Sequence, residues 1–308
     1  MAKATRALPL GTGHRTRHAR VAPLFLAPAL IVLALLLAYP VLYSIWLSLT
    51  DASLSAGQLD TPFSGLDNYR RLIGDKSVSA ALLNTFYFTV VEVIGVVVLG
   101  LLTALLLNHP IARWSGFRVF LLLPWAIAPV ANAVLWKWIY HSNYGILNSL
   151  LLQLGLIDHN VTWLGDPFRA LNMVLLVDIW KSTPFIAILF LAALQNIPKT
   201  LYRAARVDGA STFEAFRFIT LPSLNTAIAI AVILQTIWSL RVFDLIFVLT
   251  KGGPADGTVV MNFLAYRVTF NFLKFGYGAA LANIIFLASL LLSIIYVRLM
   301  NPGAPRGR

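Results

Sequence analysis

Six stretches of this sequence are long and almost uninterruptedly apolar: about 24–49, 82–107, 117–139, 170–194, 224–249 and 277–299. A helix needs about 20 mostly apolar residues to cross the hydrocarbon core of a bilayer. Strands of a membrane barrel would alternate apolar and polar residues. VVVLGLLTALLL (96–107) does not alternate. The chain therefore reads as an all-α membrane protein with six transmembrane helices. Only 12% of its residues are charged, against about a quarter in an ordinary soluble domain. The first apolar run exceeds the roughly 7–15 residues of a signal-peptide core and ends in YSIWLSLT without a small-residue cleavage site, so it reads as a retained span.

The formal charge of +12 is a topology signal rather than a nucleic-acid signal. With the N-terminus placed inside, the segments 1–23, 108–118, 195–223 and 298–308 hold 14 of the 24 Lys and Arg residues. The outside segments 50–81, 140–169 and 250–276 hold seven. Lys and Arg favour the cytoplasmic side, so both termini are expected in the cytoplasm, with a basic tail at 1–23 and a short tail at 300–308. The span ends carry the tryptophans Trp46, Trp136, Trp138 and Trp163, which suit interfacial anchors. Cysteine is absent, which excludes disulfides and Cys-based sites. The five histidines show no metal-ligand spacing; His14 and His18 are i, i+4 but lie in the tail, and His109 and His141 lie at span ends.

The polar stretch YRAARVDGASTFEAFRFITLP (202–222) lies between the fourth and fifth apolar runs, inside by the same rule. Asn196 can cap a helix, with Pro198 in its first turn. Gly209 is a natural helix stop. Ser211 and Glu214 form a capping-box pattern for a second short helix, and Pro222 precedes the next span. Residues 196–222 thus read as helix, glycine turn, helix under the membrane. Two readings follow: an amphipathic loop resting on headgroups, or a docking element whose small Ala204 and Ala205 admit a partner surface.

Polar residues inside spans mark a path, because lipid-facing polar groups are costly. In span four, WKSTPF (180–185) places Lys181, Ser182 and Thr183 before Pro184, which can kink a helix. In span five, Gln235, Ser239 and Val242 fall on one helical face, with Trp238, Arg241 and Asp244 nearby. Arg241 with Asp244, and Asp178 with Lys181, also have the spacing to neutralise each other. Glu92 suits a helix–helix hydrogen bond or a place in the path.

The segment around Gly209 resembles the EAA loop of ATP-binding-cassette importer permeases: E-A-A, three residues, G, nine residues, I, one residue, L-P. Ala204, Ala205, Gly209, Ile219, Leu221 and Pro222 stand at the matching positions; Arg203 stands at the glutamate position. LNTFYFTV (83–90), FLLLPWAIAPVANAVLWKWIY (120–140), YGILN (144–148), LAALQNIPKTLYRAARVDGAS (191–211) and LTKGGPADGT (249–258) also resemble the carbohydrate-uptake branch of that family. The resemblance implies a coupling helix, including Arg203 to Gly209 with Asp208, that docks on a cytoplasmic ATPase subunit. Arg203 implies an acidic group opposite it. It further implies a second homologous permease, two ATPase subunits and an extracellular solute-binding protein, with a sugar as cargo. Path contacts in disaccharide-transporting relatives fall on positions matching Lys181, Ser182, Phe185, Gln235, Ser239 and Val242. A disaccharide such as trehalose or maltose is the expected solute, with glycerol phosphate as the alternative. LTKGGPADGT reads as a docking site for the binding protein or as a plain solvated turn.

No GxxxxGK[ST] phosphate loop occurs, so ATP and Mg are expected on the partner ATPase subunits and no cofactor on this chain. A stand-alone secondary transporter would need a duplicated half, and none is visible. A membrane enzyme would need a catalytic cluster, and no nucleophile–base set or metal motif is found.

Overall fold

The computed structural model describes residues 27–55, 58–108 and 115–300. The tail at 1–23, the connection at 109–114 and the residues from 301 onward lie outside the described residues. The described residues are mostly helical. Four helices are long and apolar enough to cross a membrane unbroken: α1 (Ala27–Ser48), α3 (Lys76–Asn108), α7 (Pro167–Gln195) and the segment Phe275–Tyr296 of α13 (Phe275–Met300). The short helix α2 (Asp67–Gly74) leads into α3. Among the described residues one two-stranded antiparallel pair forms, β1 (Ser53–Ser55) with β2 (Gln58–Asp60); Leu54 pairs with Leu59.

The third and fifth apolar runs are broken, where uninterrupted spans were expected. In the third, α4 (Ser115–Ala126) and α5 (Pro129–Ile139) meet at a bend of 105°. Pro129 opens α5 where its missing N–H needs no partner, and Ala128 before it is extended, as a residue preceding proline prefers. In the fifth, α10 (Asn225–Leu240) ends nine residues before the apolar run does, and α11 (Asp244–Leu249) follows as a separate short helix. Between the third and fourth runs lies α6 (Ile146–Gln153), fixed by Asn148. Its amide donates to the Ser142 and Val161 carbonyls, and its oxygen accepts from Val161 N and Trp163 Nε1.

α7 starts on a side-chain cap, with Asp166 Oδ1 accepting from Arg169 N at 2.8 Å and Pro167 in the first turn. It runs unbroken through Pro184, where a kink was considered. α7 packs along α3, and small residues let the backbones approach. A Cβ added at Gly95 would lie 2.7 Å from Ile179 Cδ1, and one at Gly100 would lie 2.8 Å from Ile186 Cγ2. Ala104 continues this small face one turn on and is fully buried.

The interior divides into two apolar clusters. One includes Phe88, Leu175, Val177, Ile246 and Leu264, the last from α12 (Met261–Tyr266). The other includes Val96, Ile179, Ile186, Phe190 and Leu224. Along α3, Glu92 falls between Phe88 and Val96; along α7, Asp178 falls between Val177 and Ile179. A polar layer therefore lies at the seam between two dry cores.

Candidate functional site

A cavity of about 450 Å³ opens at this seam. α3 contributes Glu92, the α4–α5 bend contributes Trp125, Pro129 and Asn132, and α7 contributes Asp178, Lys181 and Ser182. Trp238 enters from α10, and Arg241 to Leu245 close the remaining side. Six of the nine residues expected in the path line this one cavity: Lys181, Ser182, Trp238, Arg241, Val242 and Asp244. Phe185 stands behind the lining as the middle of an aromatic row. Its ring lies 5.3 Å from Trp125 at 26° and 5.3 Å from Trp238 at 63°.

Gln235 and Ser239 occupy a different position from the expected one. Both are buried away from the cavity wall. Gln235 Nε2 donates to Glu92 Oε1, and Ser239 Oγ donates to Thr89 Oγ1 at 3.1 Å. Their face joins α10 to α3. Val242 is no longer on that helix, because α10 stops at Leu240. Arg241 N and Val242 N bond back to the Trp238 and Ser239 carbonyls, and the Arg241 carbonyl instead accepts from Asn262 Nδ2 at 3.1 Å. The break also corrects the idea of Arg241 and Asp244 as neighbours on one helix. Among the described residues neither that pair nor Asp178 with Lys181 closes an ion pair within 4 Å.

Asn132 and Trp125 were not singled out from the sequence. Asn132 is 1% exposed and sits in the apolar run PVANAV. A polar residue inside such a run was the available signal.

At the other end of the molecule, α7 closes at Asn196, which is the end of that helix rather than the cap of the next. α8 (Lys199–Val207) begins after Pro198. It ends in a Schellman turn: Ala210 N donates to the Ala205 carbonyl and Gly209 N to the Arg206 carbonyl, with Gly209 at φ +82°. The capping box then opens α9 (Thr212–Ser223). Glu214 N donates to Ser211 Oγ, and Ser211 N donates to Glu214 Oε2 at 2.7 Å. The Ser211 hydroxyl, donating to Glu214 Oε2 at 2.7 Å, and after it the Ser211 N–H hold the Glu214 carboxyl below the usual carboxylate range.

Tyr202 and Thr220 bond across the two helices at 2.8 Å, and Tyr202 and Ile219 pack on the second core cluster. The outer face is left open: Arg203, Ala204, Asp208, Gly209, Leu221 and Pro222 are exposed and Ala205 is half-buried. Beside them Val207 and Phe213 are 87% and 70% exposed. An exposed apolar patch flanked by charge is typical of a protein contact.

Residues 79–303 match the family described as binding-protein-dependent transport system inner membrane component. The trehalose/maltose transport system permease protein MalF of Thermococcus litoralis is 38% identical over 92% of this chain and 94% of its own length. The sulfoquinovosyl glycerol transport system permease protein SmoG of Agrobacterium fabrum is 37% identical over 91% and 90%. The trehalose transport system permease protein SugA of Mycobacterium tuberculosis is 33% identical over 96% and 94%. In fold, the chain is similar to a crystal structure of a bacterial ABC transporter that imports the acidic polysaccharide alginate. The TM-score is 0.79 at 22% identity, with 93% of this chain and 97% of that one covered.

Proposed function

The chain belongs to the binding-protein-dependent transport system inner membrane components, as a non-catalytic permease subunit of an ABC sugar importer, and from that premise we propose how it works. Its solute is an α-linked disaccharide such as trehalose or maltose, handed over by an extracellular binding protein. The spans of this chain and of a second, homologous permease enclose the path. Two ATPase subunits drive it from the cytoplasm, where both termini also lie. The coupling surface comprises Arg203, Ala204, Ala205, Asp208, Gly209, Leu221 and Pro222, with Ile219 anchoring it on the second core cluster.

The observation that carries this reading is mechanical. The two helices that flank the exposed helix–turn–helix both contribute to the cavity wall. α7 carries Lys181 and Ser182 and ends at α8. α9 joins α10 at a 63° bend, and α10 carries Trp238 into the cavity. Trp238 lies 14 residues beyond Leu224, so a helix conveys motion over about 20 Å at 1.5 Å per residue. A displacement of the loop by an ATPase would tilt both walls.

The cavity suits a sugar: Trp125 and Trp238 offer aromatic surface, and the amide, hydroxyl and carboxylate groups match hydroxyls. Lys181 and Arg241 support a second reading, a glycerol-phosphate importer. The test is purification of the tagged chain in mild detergent, with mass identification of its companions. A related permease, an ATPase and a binding protein are expected. The chain alone, moving solute without ATP, would overturn the reading in favour of a secondary transporter.

A further inference from the structure

Among the described residues, seven buried side-chain polar atoms lack a hydrogen-bond partner, and four of them belong to Asn132, Glu92 and Gln235. Unused hydrogen-bonding capacity is therefore concentrated at one place in the interior. Asn132 is 1% exposed, lines the cavity, and has no partner for either its amide nitrogen or its oxygen. Glu92 is equally buried and lines the same cavity. Gln235 holds one of its oxygens from behind, and the carboxyl otherwise faces that of Asp178 across the wall. Buried polar groups in folded proteins are almost always paired, so a wall of this kind is built for something that enters the cavity.

Resting on the sugar-importer reading, we propose that Asn132 and Glu92 recognise hydroxyl groups of an uncharged sugar and that the cavity discriminates against phosphorylated solutes. A hydroxyl both donates and accepts. It can take the Asn132 N–H and give its proton to the Asn132 oxygen or to Glu92. A phosphate oxygen mainly accepts. Set against Asn132 it would share the deep wall with the carboxyl groups of Glu92 and Asp178, with Lys181 as the one cation there. Arg241 does not alter this balance, because it is exposed at the rim beside the equally exposed Asp244. Trp125 and Trp238, both backed by Phe185, add the apolar ring surface that a sugar ring uses and a phosphate does not.

The test is equilibrium binding to the assembled, detergent-solubilised complex without its binding protein, so that only the cavity selects. The probes are radiolabelled trehalose, maltose and lactose, with glycerol 3-phosphate as labelled ligand and as competitor. Saturable binding of at least one neutral sugar is expected, and glycerol 3-phosphate should neither bind nor compete. Asn132→Ala and the isosteric Asn132→Asp should each weaken sugar binding at least tenfold with complex yield maintained. Asn132 makes no side-chain hydrogen bond within the described chain, so a purely structural role predicts no loss of binding in Asn132→Ala. Wild-type binding in both variants, occupancy by glycerol 3-phosphate, or no binding of any probe by an ATP-hydrolysing complex would overturn the proposal. Failure of the importer reading is seen earlier and separately, as a chain that purifies without an ATPase, and it removes the proposal with it.

Discussion

Gly209 offers a way to separate a backbone requirement from a docking requirement. It sits at φ +82°, and a Cβ added there would meet nothing within 4 Å in this chain. Any intrinsic cost of a side chain is therefore conformational. An L-residue in the left-handed region costs roughly 1–2 kcal/mol, which is a factor of about 5–30 in an equilibrium. Asparagine tolerates that region far better than a β-branched residue. If the turn were the whole of the matter, Gly209→Asn would transport nearly as well as wild type, and Gly209→Val would fall by that factor. If a partner surface closes on the open space beside Gly209, both substitutions collide with it. We expect the second pattern: ATP-driven uptake in membrane vesicles falls more than tenfold in Gly209→Val and clearly in Gly209→Asn, with the amount of inserted chain unchanged by immunoblot. Full uptake in Gly209→Val would refute the docking argument; loss confined to valine would reduce the site to a helix stop.

Three further outcomes follow from the packing. Gly100→Ala should cost about 1–3 kcal/mol by overpacking, because the new methyl meets Ile186 near its branch point. Gly95→Ala should cost less, since its tightest contact, at 2.7 Å, is the Cδ1 end of Ile179; detergent-solubilised unfolding of each variant, and of Gly100→Ala with Ile186→Ala, checks the order and the rescue. Gln235→Ala should destabilise the complex by about 2 kcal/mol, because Glu92 loses its buried donor; altered uptake with unchanged stability would instead place Gln235 in contact with solute. Tyr277 donates to Asp75 Oδ2 at 2.6 Å, and chiefly this bond holds the Asp75 carboxyl below its ordinary value near 3.8. A depressed folded value contributes stability that is present above about pH 4 and is lost as pH falls through the lower folded value. Tyr277→Phe should remove about 1 kcal/mol at neutral pH and move the acid-unfolding midpoint upward; an unmoved midpoint would refute the coupling.

How much of this was legible in the sequence depends on the range of the interaction that decides each feature. The helical class follows from six runs of bilayer length, a property of each run alone. The turn at Gly209 and the capping box at Ser211 and Glu214 are equally local, because each is decided within four residues, and the structure has both. Asn196 was misread within the same stretch, since a residue at the end of one helix and near the start of the next can close the first or cap the second. α7 continues through Leu194 and Gln195, and Asn196 closes it.

The end of α10 at Leu240 had no local mark, neither glycine nor proline. Across the break Asn262, 21 residues away, bonds the Arg241 carbonyl that an unbroken helix would have used. The break before Val242 and Asp244 moves both from a helical face to the cavity rim, while Gln235 and Ser239 stay in the α10–α3 contact. The same limit hid Asn132. A lone polar residue in an apolar run signals a partner without naming it. What makes Asn132 notable, the lack of a side-chain partner among the residues around it, becomes visible only when the helices that enclose it are in place.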